Sequence, residues 1–497
     1  MIDGLRAYKQ FAWLLLLIPI YLFIFLKLGN PHIRLWDEGW FSVHAIEMWK
    51  HNSWIVSWYD GEPSSSASKP PLHTWLQILS LKLFGISELS VRLPSALAAA
   101  ATVLALYFWV NKHRGTGLAF GAAMVLLTSV GFIGFHTARG AEADALITLV
   151  LFLQAVVTYA FIHTQNTRWL VLLGLIVGVG FWVKSVATLL FLPGFALYFL
   201  LLNVTLIQKA LTSWHLYAGL ALALSMAGAY LYIRYKLQPS YLDVFVNSNI
   251  SRYTSSVGHD HPWDYYLRNF MDGRYFWWLP FFVGGLVIIF TDKTVSSSIV
   301  GFASVSAVVY LLVISLSKSK LQWYDMPFYP MAAIPASYFT QVVIRSLSRK
   351  TTAGVVLVLA IFLLPSWNMF LHSQASRLTL QEMEFEAQEI FLKNAYDRGK
   401  NLDGVVVLTD HFDGAVIFYI HKFDQIGQHI RHQSHTINLE PGDRVLVKAP
   451  DQVEQLRQKF TLIEMDRYRG AVLYELAEPR AKLNQKQNAD NERITEN

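Results

Sequence analysis

Apolar runs about as long as a bilayer is thick recur along the first three quarters of this 497-residue chain. A run of about 17–25 apolar residues is long enough to cross the hydrocarbon core of a membrane. Inside that core the backbone satisfies its own polar groups only as a helix or a closed barrel. Eleven such runs are read at 11–28, 93–110, 117–135, 145–162, 169–183, 185–202, 214–233, 275–290, 295–316, 326–344 and 353–371, the fifth and eighth being short. The pattern predicts a multi-pass α-helical membrane protein. Composition agrees, with 54% hydrophobic and 15% charged residues against about 25% charged in soluble domains. The first run follows Arg6 and Lys9, is long, and has no small-residue cleavage site after it. It therefore reads as a retained helix, not a signal peptide. The absence of cysteine excludes a disulfide scaffold, cysteine-ligated zinc and thiol catalysis. The net charge of +6 has no Lys/Arg-rich tract behind it, so it is no nucleic-acid signal.

Basic residues in the loops set the orientation. With the N-terminus in the cytoplasm, the inner segments hold Arg6, Lys9, Lys112, Arg114, Arg168, Lys209, Lys293, Arg345, Arg349 and Lys350. An odd number of spans then places the C-terminal part on the extracytoplasmic, periplasmic face of a plasma (inner) membrane. Two outer loops are long, at about 29–92 and 234–274. In the first, 40–49 and 74–85 carry apolar residues at three-to-four spacing (Phe41, Ala45, Met48, Trp49). They read as amphipathic helices lying on the membrane surface. Residues 1–374 thus form a transmembrane domain. Residues 375–478 read as a small soluble α/β domain, with a helix over 380–398, strands at 404–409, 443–448, 461–466 and 470–476, and a helix at 451–460. The polar tail 479–497 reads as disordered.

Ionisable groups at a membrane boundary are costly, so their placement is informative. Asp37-Glu38 opens the first outer loop, and adjacent carboxylates there suit a general base or a cation site; a solvated loop start is the plain alternative. Lys69-Pro70-Pro71 fixes a cation at a helix start, which suits a phosphate, or else a snorkelling lysine. The short turn from His136 to Asp144 holds Arg139, Glu142 and Asp144. The two acids also suit the N-terminus of the next helix. The second long loop carries Arg252-Tyr253 and then His259-Asp260-His261-Pro262-Trp263. Two histidines two apart could ligate a metal, on weak grounds. Lys318, Lys320 and Tyr324 follow between the ninth and tenth runs, and Lys184 ends the fifth. The topology puts all of these on one face. An acid pair and several bases at headgroup depth make a kit for a lipid-linked phosphate and a base-assisted displacement. No cofactor is required by these residues, and a divalent ion is left open.

The sequence here resembles the dolichyl- and polyprenyl-phosphate-sugar glycosyltransferases of the GT-C superfamily. It is most similar to the bacterial branch holding the lipid A aminoarabinose transferase and the relatives of protein O-mannosyltransferases. The matching residues are Asp37-Glu38, Glu47-Met48, Lys69-Pro70-Pro71-Leu72 with Trp75, Phe84-Gly85 and Arg92-Leu93-Pro94. Downstream, Arg139 with Asp144, Lys184, Pro262-Trp263-Tyr265-Tyr266 and the Lys318–Pro330 segment also match, over roughly residues 30–335. The resemblance implies a GT-C fold and an inverting transfer of a sugar from a polyprenyl (undecaprenyl) phosphate to an extracytoplasmic lipid, glycan or protein acceptor. It implies Asp37, with Glu38 beside it, as the catalytic acid pair. Lys69, Arg139, Arg252, Lys318, Lys320 and Tyr324 are expected to hold the donor phosphate, with Glu142, Asp144 and Lys184 in support. Ser68 stands where the aminoarabinose branch tends to carry an acid, and Ser185 where glycine is common. That branch's specificity is therefore not implied.

Two rivals use the same kind of chain. A lipid or sugar transporter tends to show inverted repeats and charges at mid-membrane, and here no repeat is visible and the charges gather at one surface. A surface-polysaccharide polymerase or ligase would centre its chemistry on a large late outer loop, whereas here the first loop is richest. A membrane scaffold would leave the one-sided charge set unexplained.

Overall fold

The computed structural model describes residues 11–134, 136–202, 204–251, 259–347, 352–374, 378–409, 413–436 and 438–478. The expected tail at 479–497 lies outside them. The helices that carry the apolar runs and the first outer loop are, in chain order, α1 (Ala12–Phe25), α2 (Asp37–Lys50), α3 (Leu72–Phe84), α4 (Glu88–Arg114), α5 (Thr116–Leu127), α6 (Asp144–Thr164), α7 (Arg168–Lys184) and α8 (Leu192–Leu202). There follow α9 (Trp214–Leu237), α10 (Leu279–Thr291), α11 (Ile299–Leu316), α12 (Phe328–Leu347) and α13 (Thr352–Gln374). Each of the eleven apolar runs lies on one of these, with α2 and α3 in the first outer loop.

Among the described residues, five helices are long and apolar enough to cross a membrane by themselves: α4, α6, α7 with its following turn to Leu189, α9 and α11. That is fewer than eleven, so the membrane location follows but a count of crossings does not. The fifth run is longer than expected, because α7 continues in a 3-10 turn. The third is shorter, because α5 stops at Leu127. There the Thr128 and Ser129 hydroxyls, each 2.6 Å away, donate to the carbonyls of Met124 and Val125. Such bonds compete with the helix ladder. Outside the packed helices, Leu224, Val287, Phe290 and Leu316 are exposed, an apolar rim that suits lipid.

The two loop helices part company with expectation. The edge of α3 exposes Leu76, Leu79, Leu83 and Phe84, as an interfacial helix should. By contrast most of α2 is buried. Its Val43, Ala45, Ile46 and Met48 join a core with residues of the C-terminal part. That part holds α14 (Leu380–Phe385), α15 (Ala387–Asp397), β1 (Val406–Leu408), α16 (Gly414–Asp424), β2 (Arg431–Gln433), β3 (Arg444–Val447), α17 (Pro450–Lys459), β4 (Thr461–Tyr468) and β5 (Ala471–Ala477). The sheet order is β2-β1-β3-β5-β4. Strands β2, β1 and β3 run parallel, and β5 is antiparallel to β3 and β4. All of β1 is buried, as a parallel strand covered on both faces requires. The expected 380–398 helix divides into α14 and α15, and α16 and β2 were not foreseen.

Helix α16 lies directly on α2. A Cβ on Gly39 would fall within 2.8 Å of the backbone of Gly414 and Ala415, so glycine is what permits the approach. Ion pairs fix the two parts. Lys422 reaches Glu88 at 2.6 Å and Lys50 reaches Asp424 at 3.0 Å. His32 and Arg34 both meet Glu386, at 2.5 and 2.9 Å.

Candidate active site

The first outer loop is held in place by one buried guanidinium. Arg92, on α4, donates from Nε to Glu38 Oε1 at 2.7 Å and from a terminal nitrogen to Oε2 at 2.9 Å. It also donates to the carbonyls of Leu28, Pro31 and His32, at 2.7–2.9 Å. The Arg34 amide adds a bond to Glu38 at 2.9 Å. Burial pushes the Glu38 carboxyl up, but Arg92 and the Arg34 amide outweigh it and hold it below the usual carboxylate value. Glu38 therefore ties the start of α2 to α4 and does not line the cavity beside it. The residue before it in the helix does.

Asp37 is the first residue of α2, directly after Trp36 at φ +70°. It lines a cavity of about 420 Å³ together with Lys69, His136, Asp144, Lys184 and Tyr324. Trp40, His44, Ser68, His259 and Trp323 also face this space. A smaller slot of about 90 Å³ continues from it, sharing Lys69, Asp144, Lys184 and Tyr324. Its other walls include Ile147, Leu151, Val186, Leu190 and Ile314. One end of the combined space is thus polar and charged, and the other apolar.

Local structure explains these placements. The carbonyl of Ser68 accepts a bond from Tyr241 at 3.1 Å, and the Tyr230 hydroxyl backs Tyr241 at 3.0 Å. With Pro70 and Pro71 next, Lys69 has a stiff backbone on both sides. Asp144 begins α6, where a carboxylate complements the helix dipole. Its partner is Lys184, at the end of α7. The Lys184 ammonium also stands 5.2 Å from the centre of the Tyr324 ring. Glu142 is buried and pairs with Nδ1 of His136 at 2.9 Å. The His136 ring lies flat on Trp323, with centroids 3.8 Å apart.

Other expected phosphate ligands stand elsewhere. Arg139 donates to the carbonyls of Phe23, Ile24 and Leu26 at 2.9–3.2 Å. It caps the end of α1, whose last carbonyls have no helical partner. Burial, with Arg92 nearby, pushes its pKa down to about 10. Lys320 is buried and donates to the carbonyls of His261 at 2.9 Å and Ser317 at 2.5 Å. Lys318 is exposed and lines neither space. Arg252 lies outside the described residues. The His259–His261 stretch is split. His259 faces the cavity, Asp260 bridges to Ser319, and His261 stacks on Tyr265. Among the described residues no group of three or more His, Asp or Glu side chains is arranged to hold a metal.

The sequence reading named Asp37, Lys69, Asp144, Lys184 and Tyr324, and the fold gathers these in one cavity. It passed over His136, Trp323, Trp40 and His44. His136 opens the same turn that carries Arg139 and Glu142, which was the available signal.

Residues 68–233 match the family model described as dolichyl-phosphate-mannose-protein mannosyltransferase. An uncharacterised protein of Aquifex aeolicus is 24% identical over 84% of this chain and 82% of its own length. The undecaprenyl phosphate-α-4-amino-4-deoxy-L-arabinose arabinosyl transferase of Pectobacterium atrosepticum is 29% identical over 62% of this chain. The match spans only 55% of that enzyme. Among solved structures, the crystal structure of ArnT from Cupriavidus metallidurans bound to undecaprenyl phosphate superposes with a TM-score of 0.72. The overlap covers 94% of this chain and 99% of that one at 16% identity, a likeness of fold. Family model and relatives support a membrane glycosyltransferase, and its fold is similar to that of the GT-C enzymes.

Proposed function

We propose that the protein moves a sugar from a polyprenyl phosphate, such as undecaprenyl phosphate, to an acceptor on the outer face of the inner membrane, with inversion at the anomeric carbon. The observation that carries this reading is the two-part space. Asp37 and three cationic or hydroxylic groups stand at its polar end, and an apolar slot opens from the same lysines. A phosphate with a prenyl chain has that same division. Lys69 and Lys184 neutralise the phosphate, Tyr324 donates to it, and the first prenyl units lie along Ile147, Leu151 and Leu190. Arg252 stays among the phosphate-binding residues on its sequence position alone.

A glycosyl phosphate already has a leaving group, so preorganised cations beside it lower the barrier as charge develops. The attacking hydroxyl needs a carboxylate within hydrogen-bond reach. Asp37 is that base, and its half-buried place at the start of α2 leaves it open to an acceptor entering from outside. Glu38 positions it through Arg92. One displacement inverts the carbon with a single base, unlike the two-carboxylate glycosidases. The C-terminal sheet and helices cover the outer loop and guide the acceptor.

The test is Asp37→Asn in purified, reconstituted protein. Transfer should fall by at least about 100-fold, the scale of a lost general base, while undecaprenyl phosphate still binds. Near-normal turnover by the variant would overturn the assignment. Comparing envelope glycolipids and glycoproteins with and without the gene by mass spectrometry identifies the sugar and its acceptor.

A further inference from the structure

His136 combines three features that the mechanism above leaves unused. Its backbone sits at φ +60°, a left-handed conformation uncommon for a non-glycine residue, which persists where the surroundings impose it. Its ring is held face-on by Trp323, 12° from parallel. Its Nδ1 faces the buried Glu142 carboxylate at 2.9 Å, the arrangement that sets a histidine's proton and orientation. A histidine that only filled space would need none of these together. This one also lines the cavity that holds Asp37, Lys69 and Lys184.

We infer that His136, oriented by Glu142 and Trp323, donates a proton to the leaving phosphate oxygen during sugar transfer. This rests on the transfer reading above. As the acceptor oxygen bonds to the anomeric carbon, the bond from that carbon to the phosphate oxygen breaks and its electron pair stays on the phosphate. Asp37 takes the hydroxyl proton and His136 gives its ring proton to the departing oxygen. The products are the new glycoside and protonated polyprenyl phosphate. Solvent returns the proton from Asp37 to His136 after release.

The charges around the ring favour this state. Burial pushes the His136 pKa down, but Glu142, Asp37 and Asp144 outweigh it and raise it above 6.5. Glu38 adds to them from behind, while Lys69, Lys184 and His259 face the same cavity and oppose.

The test is the pH dependence of kcat in the full-length, reconstituted protein, using an undecaprenyl-phosphate-linked sugar and envelope lipid as acceptor. The wild type should lose turnover as pH rises through the raised His136 value. His136→Gln should lower kcat by about 100-fold, the scale of a lost general acid, with KM little changed and the alkaline loss gone. Glu142→Gln removes the charge that raises the imidazole pKa, so the alkaline loss should move to lower pH. A wild type with no alkaline loss overturns the inference without any variant. So does a His136→Gln protein with normal kcat, or a Glu142→Gln profile that does not move. If the wild type binds undecaprenyl phosphate but transfers no sugar, the transfer reading itself fails.

Discussion

At the residue scale, the pair Glu38–Arg92 shows how a carboxylate can hold the walls of a cavity in place without lining it. Both side chains are almost wholly buried, 1% and 3% exposed. Removing one partner of such a pair leaves an uncompensated charge and costs about 3–5 kcal/mol. Arg92→Met should therefore lower the melting temperature markedly. Arg92→Lys should fail to restore it, because an ammonium cannot reach two carboxylate oxygens and three carbonyls at once. A lysine variant as stable as the wild type would refute this, measured by thermal unfolding in detergent. Because the folded Glu38 pKa lies below its ordinary 4.5, its contribution is present above that pH and is lost as pH falls. At this scale the sequence was half legible. Adjacent carboxylates announced a site, but nothing in the pair Asp37-Glu38 said which one faces it. That depends on the helical turn at Asp37 and on Arg92, 54 residues on.

At the scale of elements, the outer loop and the C-terminal sheet form one unit joined by His–carboxylate contacts. His432 meets Asp413 at 2.5 Å, and Tyr59 from the outer loop donates to the same carboxylate at 2.6 Å. Burial pushes the His432 pKa down, but Asp413 and Asp60 outweigh it and raise it above 6.5. Burial likewise pushes Asp413 up, while the bonds from His432 and Tyr59 hold it below 3.8. The histidine's contribution is fully present below 6.5 and is lost as pH rises through the raised value. The aspartate's is present above 3.8 and is lost as pH falls through the lowered one. Docking should thus be firmest between 3.8 and 6.5. Protection of the α2 and α16 amides, relative to their intrinsic exchange rates, should fall at alkaline pH, and His432→Gln should remove that fall. Protection indifferent to pH would count against it. Strands β1, β3, β4 and β5 and helix α17 were legible from their apolar pattern and length, and β2 was not. Helix α16 was not, because its run of Val, Ile, Phe and Tyr reads as a strand until Gly39 offers it a close seat.

At the scale of the whole molecule, the apolar exterior and the five long spans fix a membrane protein, and the bases at the loops propose its direction. The chain has no cysteine, so single introduced thiols report cleanly. Lys318→Cys should react with an impermeant maleimide in spheroplasts, and Arg168→Cys only after lysis. The reverse pattern would invert the orientation, and with it the face on which the acceptor waits.

By itself the sequence determined the solvent and the helical architecture, and it proposed a one-sided gathering of charge. Those follow from hydrophobic run length and from the cost of placing a charge in lipid, both of which are local properties. Only the tertiary structure decided which charges act at a site. Lys69 and Lys184 come together because α7 ends beside the stiff turn before α3. Arg139 and Lys320, equally basic in the sequence, spend their donors on carbonyls that would otherwise be orphaned. A hydrogen bond to a distant carbonyl leaves no trace in spacing, so the division between scaffold and site appears only once the chain has folded.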